Sequence, residues 1–139
     1  MVRYSLANPE SRLPASAIEM NTTRAGAEAE DAAFELLSAQ GLRCLAKNYS
    51  CRSGEIDLVM RDGNALVFVE VRYRRHSRFG DPAATVTRSK QQKIIRTAQY
   101  FRQQHSDLRR LACRFDVVAA TGELESVSLQ WIRDAFPAV

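Results

Sequence analysis

The dipeptide Asp62-Gly63, set between the segments Glu55–Arg61 and Leu66–Arg72, constrains this chain more than any other feature. Asp-Gly suits the positive φ values of a tight hairpin turn, and both flanking segments read as strands. A hairpin dictates which side chains share a face. Side chains alternate along each strand, and directly opposed residues lie on the same side. With a two-residue turn, Arg61 opposes Asn64, Glu55 opposes Glu70 and Asp57 opposes Phe68. With a four-residue loop, Arg61 opposes Leu66, Asp57 opposes Glu70 and Glu55 opposes Arg72. Either even register puts Glu55, Asp57, Glu70 and Arg72 on one face. A three-residue loop would oppose Ile56 to Glu70 and separate the acids.

The rest of the chain supplies what a hairpin needs to be covered. Residues 1–21 mix prolines, serines and charges without a period and read as a flexible tail. A domain then spans 22–139. Thr22 or Thr23 can cap an alanine-rich helix from Arg24 to Gln40, ended by Gly41. Leu42–Tyr49 is a first strand, and the hairpin supplies the second and third. The third strand is apolar on both faces near its start, as in a central strand covered on both sides. A loop over 73–84 contains Gly80-Asp81-Pro82. Thr87 can cap a second helix running from Arg88 to about His105, with Ile94, Ile95, Ala98 and Phe101 on one stripe. Arg114–Ala120 and Leu124–Leu129 read as two further strands, and Trp131–Phe136 as a short helical turn. The expected fold is a mixed α/β domain of about five strands, in the order α-β-β-β-α-β-β.

Bulk properties narrow the function classes. No segment approaches the ~20 apolar residues of a membrane-crossing helix, and the N-terminus lacks a secretory apolar run, which points to the cytoplasm. Net charge is +4, a mild basic bias, but it is unevenly spread. Arg72–Arg78 reads RYRRHSR, a run without an acid that attracts polyanions or stands as a solvated loop. Within it, His76 is read as solvated. Cys44, Cys51 and Cys113 match no common zinc spacing and are assigned no chemistry.

Two acids beside a mostly apolar sheet are costly, because they repel each other and lose solvation. A divalent ion resolves that conflict. Mg²⁺ takes carboxylate and water oxygens, lowers the pKa of a bound water and neutralises phosphodiester charge. Arg72 can stabilise the transition state electrostatically. The plainer alternative is a salt bridge from Asp57 or Glu70 to Arg72. Glu28, at one edge of the alanine-rich helix face, can reach the rim of such a site. Gln91, at the start of the second helix's stripe, can orient a water or a phosphate.

The segments Gly54-Glu55-Ile56-Asp57-Leu58-Val59 and Leu66-Val67-Phe68-Val69-Glu70-Val71-Arg72 resemble the paired signature of the YraN-like family of bacterial proteins. The likeness continues through Gly26-Ala27-Glu28, Asn48-Tyr49, Gly80-Asp81-Pro82, Ser89-Lys90-Gln91, Arg114–Val118 and Trp131–Phe136. That family resembles the restriction-endonuclease-like fold, nearest to Holliday-junction resolvases. The resemblance implies Mg²⁺ or Mn²⁺ held by Asp57, Glu70 and the carbonyl of Val71, with Glu28 as an auxiliary acid and a polar helix residue near Lys90-Gln91. It also implies a homodimer, since a four-way junction needs two matched cuts. One position departs from the pattern: its usual lysine is Arg72. A guanidinium effectively cannot shed a proton, so Arg72 can clamp a phosphate but not act as a base.

Three functions follow as expectations. The first is a metal-dependent endonuclease on DNA, branched or damaged DNA included, gripped by Arg74, Arg75, Arg78, Lys90 and Lys93. The second is a nuclease-like nucleic-acid-binding module without catalysis. The third is a protein-interaction scaffold whose arginines meet an acidic partner.

Overall fold

The computed structural model describes residues 2–7, 21–75, 86–123 and 125–137. Its elements are β1 (Val2–Ala7), α1 (Asn21–Ala39), β2 (Arg43–Cys51), β3 (Gly54–Asp62), β4 (Ala65–Arg74), α2 (Arg88–Gln104), β5 (Ala112–Thr121) and β6 (Ser126–Phe136). A short 3₁₀ turn, Ser106–Leu108, follows α2. All five expected strands and both helices are present in the expected order. The sheet order is β1-β6-β5-β4-β3-β2. Strand β4 is central, pairing antiparallel with β3 and parallel with β5.

The hairpin adopts the second of the two even registers. Asp62 pairs with Ala65 and Arg61 with Leu66, so the chain reverses at Gly63-Asn64, where Gly63 takes φ 58°. That conformation costs glycine no Cβ clash.

Each sheet face carries one helix and its own core. Ala29, Ala33, Leu36 and Leu37 of α1 pack on Leu58, Met60, Val67, Val69, Val118 and Trp131. The alanines admit the helix close to the strands. On the other face, Ile94, Ala98 and Phe101 of α2 pack on Val59, Leu66, Phe68, Phe115 and Val117. Phe101 meets Phe68 and Tyr49 edge-on, with ring centroids 5.9 and 5.0 Å apart. Gly54 sets how near α2 lies to the hairpin: a Cβ there would meet Thr97 Oγ1 at 3.3 Å. Thr87 caps α2 as expected, its hydroxyl accepting from the Lys90 amide at 3.2 Å.

Three expectations are corrected. Helix α1 starts at Asn21, so Thr22 and Thr23 lie inside its first turn and are not its cap. Val2–Ala7, within the segment read as a flexible tail, pairs antiparallel with β6 at the sheet edge. Val2, Tyr4 and Leu6 alternate with Arg3, Ser5 and Ala7, a strand period that marks the segment. Trp131–Phe136 is not helical but continues β6. There the register skips from Val117–Ile132 to Phe115–Phe136, so three β6 residues stand against Asp116. Asp116 is fully buried and holds that bulge. It accepts from Asp134 N at 2.9 Å, Trp131 Nε1 at 3.0 Å and Arg114 Nε at 3.0 Å. Asp134, at φ 52°, takes the left-handed conformation that brings its amide round.

Residues 76–85, which hold His76, Arg78 and Gly80-Asp81-Pro82, lie outside the described residues, as do 8–20 of the expected tail. No described helix is long and apolar enough to cross a membrane.

Candidate functional site

The β3–β4 ladder ends at Leu58–Val69. Continued one step, it would bring Asp57 opposite Glu70. Strand β3 turns about its own axis at this point. Ile56 belongs to the core under α2 and Leu58 to the core under α1, although residues two apart on a regular strand share a face. Asp57 sits between them, at the change of side. Its carboxylate therefore lies along the strand edge, where Oδ2 accepts the Val71 amide at 2.8 Å. A side chain has taken the place of a backbone partner in the ladder. An extended residue presents its N–H and C=O to the same edge, so the Val71 carbonyl is also directed toward Asp57.

Glu70 follows Leu66 and Phe68 on the face covered by α2 and is 8% exposed. Lys90, in the first turn of α2, places Nζ 3.5 Å from Glu70 Oε1. Burial, then the Asp57 charge, push the Glu70 carboxyl up to about 7, against the opposing pull of Lys90 and Arg72. Burial also raises Asp57, opposed first by the Val71 amide and then by the charge of Lys90. The Asp57 charge acts directly on Glu70, so ionising one carboxyl group disfavours ionising the other.

On α1, Glu30 is an acid on which the Asp57 charge acts. Glu28 pairs with Arg24 on its own helix at 3.6 Å. Glu30 is pushed up to about 7 by burial and then by the charges of Asp57, Glu55 and Asp31. With its nitrogen turned toward the acids, the Asn48 amide donates to Glu30 Oε1 at 2.6 Å and to Glu55 Oε1 at 3.1 Å. Asn48 stands across β2–β3 from Asp57, between the pairs Lys47–Leu58 and Tyr49–Ile56, at φ 50°. Asn is among the few residues that adopt this conformation readily. Sequence reasoning did not single out Asn48 as a neighbour of these acids, and it gave Lys90 to the nucleic-acid-binding set, with a polar helix residue near Lys90-Gln91 implied only by resemblance. Their signals were an Asn in a strand and a lysine in a helix's first turn, where a cation opposes the macrodipole.

The other expected site residues are spread more widely. Alternation puts Arg72 on the side of Glu70, and its charge favours ionised Glu70 less than Lys90 does. Gln91 donates one side-chain N–H to the Val86 carbonyl at 2.9 Å, which leaves its second N–H and its amide oxygen to meet a water or a phosphate. Arg75 pairs with Glu123 at 3.2 Å. Arg74 closes β4 opposite Thr121. Lys93 is exposed one turn after Lys90. An open groove of about 590 Å³ runs along the outer face of α2, lined by Arg88, Gln92, Arg96 and Gln99 among others. Helix α2 carries Arg88, Lys90, Lys93, Arg96 and Arg102 and no acid, so this flank is positive.

Residues 29–120 match the model of the uncharacterised protein family UPF0102. The chain belongs to that family. UPF0102 proteins similar to it include one from Stutzerimonas stutzeri, 53% identical over 80% of this chain and 92% of its own length. Another, from Saccharophagus degradans, is 54% identical over 80% of this chain and 91% of its own. A third, from Nitrosococcus oceani, is 48% identical over 80% and 90%. The UPF0102 match begins at Ala29, so it takes in Glu30, Asn48, Asp57, Glu70 and Lys90 and leaves Glu28 outside.

The donor set fits a divalent ion in one particular way. Among the described residues, no three carboxylate, imidazole or thiolate side chains converge to enclose a metal on their own. Asp57 and Glu70 could supply two carboxylates and Val71 a main-chain carbonyl. Mg²⁺ and Mn²⁺ sites of this kind keep several waters and use only one or two carboxylates.

Proposed function

We propose that this UPF0102 protein is a metal-dependent endonuclease acting on DNA, with branched or damaged DNA as the favoured substrate class. The observation that carries the reading is the Asp57–Glu70 pair: buried, mutually repelling, and poor in hydrogen-bond donors. Structural acids in a core are normally matched with donors. Acids with so few donors beside an exposed positive flank point to a ligand that brings its own charge.

Asp57, Glu70 and the Val71 carbonyl would hold Mg²⁺ or Mn²⁺. Such an ion acidifies a coordinated water and offsets negative charge on a phosphodiester. In the hydrolysis, water oxygen bonds to phosphorus, one P–O ester bond breaks, and the leaving oxygen takes a proton. Arg72 would meet a phosphate oxygen, and Gln91 would place a water or a phosphate through its amide oxygen or its second N–H. Lys90, Lys93, Arg74 and Arg75 would attract the backbone, with Arg88 and Arg96 extending that surface along α2. Arg78, expected to join them, lies outside the described residues. Glu30, held by Asn48, takes the auxiliary role expected of Glu28. A homodimer and a cytoplasmic setting accompany this reading as proposals.

Arg72 favours a second reading, a nucleic-acid-binding module without turnover, because its guanidinium cannot release a proton. One experiment separates them. Wild type with Mn²⁺ should cut a four-way DNA junction, while Asp57→Ala and Glu70→Ala should bind it, remain folded and lose cutting by about a hundredfold or more. Equal cutting by all three proteins at matched purity would refute the nuclease reading. DNA binding without cutting by wild type would establish the second.

A further inference from the structure

The geometry points to Lys90 as a built-in counter-cation: its ammonium holds the place of a divalent ion beside Glu70 and competes with that ion for the site. This inference rests on the metal-dependent reading and adds a residue that sets metal affinity.

Lys90 is badly placed for its own helix. A cation in the first turn faces the positive end of the macrodipole, and α2 has no acid in that turn to offset it. Its position is nevertheless well defined. The Thr87 hydroxyl accepts from the Lys90 amide at 3.2 Å, which anchors the start of the side chain. From there Nζ reaches Glu70 Oε1 at 3.5 Å. Its charge favours the ionised forms of both Glu70 and Asp57. Arg72 acts on Glu70 in the same sense but less strongly.

The two ends of this ion pair differ in exposure: the Lys90 side chain is 52% exposed and that of Glu70 10%. The acid is therefore fixed in the wall, while the ammonium can leave for solvent on a flexible stem. Lys90 releases Glu70 when a divalent ion takes the oxygen, because two like charges cannot share it at contact distance. The freed ammonium remains within a side chain's length of the ion, on the positive flank, where a backbone phosphate would meet both charges. The arrangement neutralises the acid pair when no ion is present and returns a cation to the substrate side when one is.

Calorimetric titration of Mn²⁺ into the full chain at pH 8, in 0.15 M salt, tests this. Wild type should take up Mn²⁺ and Asp57→Ala should not. Lys90→Gln should bind Mn²⁺ roughly three- to fivefold tighter, the equivalent of losing one partly exposed ion pair. Lys90→Arg should retain wild-type affinity, because it keeps the charge. If Lys90→Gln binds Mn²⁺ no more tightly than wild type, or if Lys90→Arg tightens equally, the counter-cation role is overturned and metal binding through Asp57 stands. If wild type and Asp57→Ala take up Mn²⁺ equally, or neither does, the metal site itself is refuted along with it.

Discussion

Asp116 and Glu70 are both buried acids on adjacent central strands, one residue apart along the β4–β5 ladder and on opposite faces of the sheet. Their surroundings differ in kind. Asp116 receives a guanidinium, an indole N–H and a main-chain amide. Burial works against the Arg114 charge, but Asp116 and then Asp62 more than restore it. The second acid, Asp62, accepts from the same guanidinium at 3.0 Å. Glu70 has one partly exposed lysine and a neighbouring carboxyl that repels it. Burial alone therefore does not separate an acid that holds the fold from one available to a ligand. The number and kind of donors around it does.

The largest test of this contrast is Asp116→Ala. It strands two N–H donors, leaves the partly buried Arg114 guanidinium with Asp62 as its remaining acid, and should cost about 3–5 kcal/mol in urea unfolding. A loss below about 1 kcal/mol would break the comparison, since Asp116 would then be as dispensable to the fold as Glu70. Trp131→Phe keeps most of the apolar volume and removes one charge-assisted donor. It should cost roughly 1.5–3 kcal/mol, less than removing the acid.

Glu70→Gln should move stability the other way. Glu70 is held at about 7 against an ordinary 4.5, so the folded chain keeps a proton that the unfolded chain releases. Stability then falls as pH rises from about 4.5 to about 7, because the folded state is the one binding more protons there. At pH 8 the glutamine variant should be more stable than wild type by about 1–3 kcal/mol, and the gain should fade toward pH 4.5. Thermal unfolding across that range reads it directly. A gain that persists undiminished at pH 4.5 would mean that packing, not charge, is responsible.

The hairpin was readable because two periodicities and one turn restrict it to a few registers, and the even ones agree on which acids approach each other. The break in alternation at Asp57 was not readable. It arises from Ile56 joining a core covered by α2, some forty residues downstream in the chain. Glu30 was not singled out beside Glu28 for a related reason. They flank Ala29 by about 100° on either side of the helix, so the pattern of apolar residues marks both as edge positions equally. Only the way α1 lies across the strands selects Glu30. The end of β6 was misread because its bulge interrupts the period of two, and the cause of the bulge is a carboxylate on another strand. Interactions within about ten residues were legible here, while those made across the sheet were not.

The bond from the Val71 amide to Asp57 Oδ2 gives the protein a built-in reporter. Most protected amides in a sheet exchange with solvent deuterium only when strands part. This one is covered by a titratable side chain instead, so its exchange rate should follow the charge and occupancy of that carboxylate while its neighbours in β4 stay unchanged. A single backbone hydrogen thus offers a clock for the state of the acid pair, readable without substrate.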